Sequence, residues 1–202
     1  ALPIYQRKIR AVITNARATV AMTEAGDGGQ GRRLRAVEPG AVPARADIER
    51  LAATDQLTEL PNRRGFEMLA GQAIEEARRE QQPLSAIVID LDHFKTLNDT
   101  HGHMAGDVVL KGFANQLRAS LRRSDIVCRW GGEEFIVLFK NTALDTAQQL
   151  AEKLRAQLEQ QHFFWEDKAL KVTISIGLTN LTGGEGLDGL IARADRALYR
   201  AK

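Results

Sequence analysis

Two glutamates follow two glycines at Gly131-Gly132-Glu133-Glu134. Glycines let a ligand lie against the backbone and leave N–H groups free to meet phosphate oxygens. Strand neighbours point to opposite faces, so only one of Glu133 and Glu134 faces a given site. Another carboxylate, Asp90, closes the uncharged run Leu84-Ser85-Ala86-Ile87-Val88-Ile89, and Asp92 follows two positions on. A carboxylate at the end of a buried strand is costly unless something compensates it, and a bound cation is one solution. Asp90 and Glu133 on adjacent strands could together hold Mg²⁺, which takes oxygen ligands and retains waters or substrate phosphates. The bland alternatives are a helix cap or surface charge for Asp90 and a charged hairpin tip for the glutamates.

Lys95 stands five residues after Asp90, with Asn98, Asp99 and Asp107 further along. Asn and Asp side chains can read a guanine edge, because a carboxylate accepts from N1–H and N2–H₂. Taken singly, Asn98-Asp99 also reads as a helix stop and Asp107 as an ordinary first-turn acid. His101 and His103 flank Gly102; loop histidines account for that spacing better than a metal site does. Arg122-Arg123 could bind an anion or be a solvated helix end, and Phe163-Phe164-Trp165 reads as packing.

These residues need elements to position them. Pro61-Asn62 is a start signal for a helix whose apolar face is Phe66, Leu69, Ala70, Ala73, Ile74 and Ala77. Leu84 to Asp90 is a short apolar run, the signature of a buried central strand. Leu110, Phe113, Ala114, Leu117 and Leu121 predict the next helix. Ile126 to Trp130 and Glu134 to Phe139 predict a hairpin around Gly-Gly. Ala147, Leu150, Ala151, Leu154 and Leu158 give another helix. Leu170 to Leu178 alternates as a strand, with Val172, Ile174 and Ile176 on one side. Asp188 can cap a last helix carrying Leu190, Ile191, Ala194 and Leu198. The order is α-β-α-β-β-α-β-α. Its middle, βαββαβ, predicts an α/β (α+β) ferredoxin-like core, a mainly antiparallel sheet with helices on one face.

The chain has 202 residues and 44% apolar content, enough for a packed domain and an appendage. Net charge is +2, a weak argument for nucleic acid. Residues 1–50 carry nine Lys/Arg against five Asp/Glu, so the basic balance belongs to the N-terminal segment. Residues 1–46 read as a helical segment and linker, broken at Gly26 to Gly31; a short helix from Arg45 to Thr54 leads into a domain at 47–202. One cysteine, Cys128, excludes an intramolecular disulfide and suits a reducing compartment. No apolar run approaches the roughly 20 residues of a membrane span. The expectation is a cytoplasmic domain with no membrane segment; the opening on Ala1 is that of a piece of a longer protein, which could be membrane-attached.

Together these residues resemble the GGDEF family of diguanylate cyclases over Asp55 to Lys202. Asp55-Gln56-Leu57-Thr58-Glu59-Leu60-Pro61-Asn62-Arg63-Arg64 resembles the family's opening motif, with Glu59 where Gly is common, and Gly131 to Phe135 is the signature in its GGEEF form. The resemblance implies a fold similar to nucleotidyl cyclase and polymerase palm domains, with a central sheet flanked by helices. It implies condensation of two GTP into cyclic di-GMP and two pyrophosphates across a homodimer, with Mg²⁺ (or Mn²⁺). By position, Asp90, Glu133 and the Leu91 carbonyl would bind metal, and Glu133 would also act on the 3′-hydroxyl. Lys95 and Lys202 would contact phosphates; Phe94, Asn98 and Asp107 would bind guanine; Gly131 and Gly132 would lie against ribose and α-phosphate. Arg122 and Asp125 fit the family's RxxD inhibitory product site. The rival reading is an inactive domain that only binds cyclic di-GMP or GTP. A departure is the absence, after Lys202, of a Gly-Arg-Asn element common in the family.

Overall fold

The computed structural model describes residues 52–202. The expectations for residues 1–51 lie outside that range. Helix α1 (Arg63–Arg79) begins where Asn62 caps it, the side-chain oxygen accepting from the Gly65 N–H at 3.0 Å. Phe66, Ala70, Ala73, Ile74 and Ala77 are buried, whereas Leu69 is 41% exposed. The buried stripe runs through positions 66, 70, 73–74 and 77, and Leu69 falls at its edge.

Strand β1 (Leu84–Leu91) follows, then helices α2 (Phe94–His101) and α3 (His103–Ser120). The sequence pattern predicted α3 without the short helix before it; Gly102, at φ 84°, separates the two. Strands β2 (Ile126–Gly131) and β3 (Glu134–Lys140) form the predicted hairpin, and α4 (Leu144–Gln160) the predicted helix. A small hairpin, β4 (Phe163–Trp165) with β5 (Lys168–Leu170), was missed. It takes Leu170 from the expected strand, so β6 (Ile174–Asn180) starts later. The predicted alternation holds, since Val172, Ile174 and Ile176 pack in the same core. Helix α5 (Leu187–Ala201) is capped at Gly186, so Asp188 lies in the first turn instead, where it faces the positive helix end.

The sheet order is β2-β3-β1-β6, with every neighbouring pair antiparallel. Ile87, Ile89, Leu91, Phe135, Val137 and Phe139 pack one face against α3 and α4; Phe113 meets Phe135 edge-on, centroids 4.9 Å apart. Ala86, Val88, Ile136 and Leu138 pack the other face with Phe66 and Ala70 of α1 and Leu190, Ala194 and Leu198 of α5. Helices therefore cover both faces, not one. The unalternating burial of β1 from Leu84 to Ile89 is the corresponding sequence signal.

Helix α5 lies unusually close to β6. A Cβ on Gly177 would sit 2.0 Å from the Ala194 carbonyl oxygen and 2.4 Å from the Leu198 nitrogen, so glycine is required there. Cys128 is buried, and desolvation pushes its thiol up to about 12, which makes it packing rather than a nucleophile. Among the described residues no helix is long and apolar enough to cross a membrane.

Candidate active site

The β2–β3 ladder is regular to Arg129↔Phe135, then shifts before Gly131↔Glu134, so Trp130 is the extra residue of a bulge. Gly131 and Gly132 are exposed, and Gly132 takes φ +52°, a left-handed value that suits glycine. Glu133 lies in the turn, and its carbonyl accepts from the Leu91 N–H at 3.4 Å. Glu134 opens β3 directly opposite Asp90. Directly opposed residues share a face. Asp90 and Glu134 thus look toward α5, which contributes Asp195 and Lys202.

Lys202 Nζ lies 2.8 Å from Asp90 Oδ1. The hydrogen bond to Asp90, with the charges of Asp90, Asp92 and Glu133, raises the Lys202 ammonium above its ordinary range. Burial raises the Glu134 carboxyl, and the charges of Asp90, Asp195 and Glu133 raise it further against the pull of Lys202. Sequence reasoning paired Asp90 with Glu133. The structure places Glu134 directly across from Asp90, keeps Glu133 within charge range at the turn, and adds Asp195, which was missed. Asp195 and Lys202 are seven residues apart on one helix, a spacing that puts both on one face.

Asp90, Glu133 and Asp195 thus lie within charge range of Glu134, and Asp90 is bonded to Lys202. Such a group suits a hard divalent cation, which would relieve the mutual repulsion. Among the described residues no three of His, Cys, Asp and Glu converge as a metal site. A cation here would take Asp90, Glu133 and the Leu91 carbonyl and complete its shell with water or phosphate oxygens. Asp92 is otherwise engaged: Thr173 Oγ1 donates to it at 2.6 Å and Ser175 Oγ at 2.7 Å, tying the β1–α2 connection to the edge strand.

Beyond that connection, Phe94 is buried in α2 and Lys95 is exposed in its first turn. Asn98 Oδ1 is buried with no hydrogen-bond partner. A buried unpaired acceptor costs about 1–3 kcal/mol, and a ligand N–H would satisfy it. A Cβ at position 106 would lie 2.0 Å from this oxygen and 3.0 Å from Phe94 Cζ. Gly106 thus leaves room for the Asn98 oxygen and the Phe94 ring, a role sequence reasoning missed, and half-buried Asp107 follows it. His103 is exposed and His101 half-buried. A cavity of about 540 Å³ lies beside α2, lined by Asp92, His93, Thr96, Leu97, His101 and Thr173 among others. It does not include the hairpin. A second, of about 450 Å³, flanks the turn and is lined by Asp55, Arg63, Arg129, Trp130, Gly131 and Gly132 among others.

Arg122 and Asp125 lie at the other end of β2, about 17 Å of strand from Gly131. Asp125 Oδ2 accepts from the Arg122 N–H at 3.0 Å, and the Arg122 side chain is exposed. Burial raises the Asp125 carboxyl, with the Arg122 amide and charge and the Lys140 amide opposing. In the opening motif, burial would raise Asp55, but the Thr58 hydroxyl and amide and the Arg129 guanidinium outweigh it and hold the carboxyl below its ordinary range. Glu59 takes φ +57°, a left-handed conformation that costs a residue with a Cβ and that glycine adopts freely.

The family described as "Diguanylate cyclase, GGDEF domain" matches residues 52–202. Diguanylate cyclase DgcP of Pseudomonas aeruginosa is 44% identical over 156 residues, 77% of this chain and 23% of that protein. The chain thus spans about a quarter of that relative's length. The GGDEF domain of DgcB from Caulobacter crescentus, solved in complex with c-di-GMP, aligns with a TM-score of 0.71 at 32% identity, covering 74% of this chain and 89% of that one. An active GGEEF domain of a diguanylate cyclase from Vibrio cholerae aligns with a TM-score of 0.64 at 36% identity, covering 69% and 89%.

Proposed function

The chain belongs to the GGDEF family of diguanylate cyclases, and we propose that it condenses two GTP into cyclic di-GMP and two pyrophosphates as a homodimer. The observation that carries this reading is the group of carboxylates formed by Asp90 and the hairpin glutamates beside an exposed two-glycine turn. The orphaned Asn98 oxygen supports the guanine part of it.

Asn98 Oδ1 accepts from the guanine amino group, and the Asp107 carboxylate accepts from the same edge. Phe94 lines that pocket. Ribose and α-phosphate lie against Gly131 and Gly132, where no side chain intervenes. Lys95 and Lys202 meet the phosphates; Lys202 exchanges its bond to Asp90 for them. Asp90, Glu133 and the Leu91 carbonyl would hold Mg²⁺ or Mn²⁺, which when bound would supply Lewis-acid polarisation of the α-phosphate and charge neutralisation of the leaving pyrophosphate. Glu133 receives the proton of the 3′-hydroxyl. One domain holds one GTP, so two domains meet antiparallel and each hydroxyl attacks the other's α-phosphorus.

Product binds back at Arg122 and Asp125, where a planar guanidinium suits phosphate or a guanine edge. Product inhibition unchanged by Arg122→Ala would remove this part. The whole reading is tested by incubating the dimeric, full-length protein with GTP and Mg²⁺ beside a Glu133→Ala control. The wild type makes cyclic di-GMP and the control does not. No product from the wild type overturns the enzyme, and equal product from the control overturns the role of Glu133.

A further inference from the structure

The turn that carries Glu133 has little of its own to hold it. A Cβ on Gly131 or Gly132 would meet nothing within 4 Å, so the glycine side of the turn faces open space. It also lies beyond the bulge, past the last regular rung at Arg129↔Phe135. The peptide joining Gly132 to Glu133 is therefore loosely restrained by the sheet, and its rotation would swing the Glu133 carboxylate. The bond from the Leu91 N–H to the Glu133 carbonyl is long at 3.4 Å.

A better bond comes from the strand side. Arg129 Nε donates to the Gly132 carbonyl at 2.9 Å. The other end of the same guanidinium is fixed: Nη1 lies 3.2 Å from both oxygens of Asp55. This ion pair is mostly shielded, with 16% of the Arg129 side chain and 22% of Asp55 exposed. Asp55 is oriented in turn, since Oδ1 accepts from the Thr58 N–H at 2.8 Å and its hydroxyl at 2.7 Å. The Arg129 main chain is fastened too, its N–H donating to the Pro61 carbonyl at 3.0 Å.

We propose that Arg129 is a positioning residue for Glu133: one edge of its guanidinium holds the Gly132 carbonyl while Asp55 holds the other. The role calls for arginine. A planar fork serves a carbonyl and a carboxylate at once, whereas a lysine ammonium is a point charge that would keep Asp55 and release Gly132. Asp55 lies in the opening motif, so that motif is tied to the turn through this ion pair as well as through the Arg129 N–H bond to Pro61. The inference rests on the reading that Glu133 acts on GTP.

The test compares full-length wild type, Arg129→Lys, Asp55→Asn and the double variant. The measurements are kcat and KM for GTP, affinity for a non-hydrolysable GTP analogue with Mn²⁺, thermal midpoints, and amide exchange at Glu133. Misplacement of a reacting group by about 1 Å costs on the order of 100-fold. Arg129→Lys should lower kcat by about 10- to 100-fold, leave analogue affinity within about threefold, and speed exchange at Glu133. Asp55→Asn should lower kcat less, and the double variant should be no worse than Arg129→Lys alone, because both act through one contact. Wild-type kcat in Arg129→Lys, or losses that multiply in the double variant, would overturn the proposal. So would a fall in kcat that follows the thermal midpoint with no change in exchange. If the wild type forms no cyclic di-GMP, the functional reading fails by itself; unchanged exchange in the folded Arg129 or Asp55 variants overturns the clamp independently.

Discussion

Ile87, Ile89 and Leu91 keep one face of β1 apolar to its last residue, whereas on the other face Ala86 and Val88 give way to Asp90. The first face meets large side chains, Phe113, Phe135 and Phe139 among them. The second meets Phe66 of α1, aliphatic side chains of α5 and, at Gly177, bare backbone. One strand thus anchors the domain with its odd positions and presents chemistry with the end of its even ones. The difference teaches that stability and activity are divided by side-chain parity, so substitutions on the two faces should fail in different ways.

The largest expected effect lies on the apolar face. Phe113→Ala should cost about 3–5 kcal/mol in urea unfolding, as deletion of a fully buried aromatic does. A loss below about 1 kcal/mol would break the division. On the other face, Asp90→Asn should reduce product formation by about 100-fold or more, with a thermal midpoint no lower than wild type. A marked drop in midpoint would mean that the carboxylates support the fold. Glu134→Gln sharpens the point. The Glu134 carboxyl is raised in the folded chain, so between its ordinary value of 4.5 and the raised one the folded state binds more protons than the unfolded. Stability contributed this way is present at low pH and lost as pH rises through that window. Without divalent cation, Glu134→Gln should therefore be the more stable form at pH 7, and its advantage should vanish below pH 4.5; an advantage independent of pH would assign it to packing. Glu59→Gly, outside both faces, serves as the small control. Relief of its left-handed conformation, less the entropy of glycine, should stabilise by about 0.5 kcal/mol and leave kcat unchanged.

Much of the fold was legible because its signals were local. Asn62 capped a helix, β1 was an unbroken apolar run and Gly131-Gly132 sat between two strand patterns. The short pieces were not legible: α2 carries few apolar residues, and β4 and β5 are only three residues long, too short to show a period. In the site, Asp90 and the hairpin stood out as carboxylates beside apolar or glycine neighbours. Asp195 did not, since an acid on an exposed helix position looks like any solvated charge until α5 is laid on the sheet. Gly106 was equally silent, because its value lies in the Asn98 oxygen and the Phe94 ring that occupy its missing side chain.

The seat of α5 on Gly177 also works as a vernier. Gly177 stands opposite Val88 and Ser175 opposite Asp90, a step of two strand residues or about 6.6 Å. From Leu198, whose backbone meets Gly177, to Lys202 is four helical residues, about 6 Å. Two scales with different graduations, zeroed at one glycine, coincide again where the ammonium meets the carboxylate. One residue inserted after Leu198 would turn Lys202 by about 100° around the helix and move that coincidence off Asp90, with every side chain still in place.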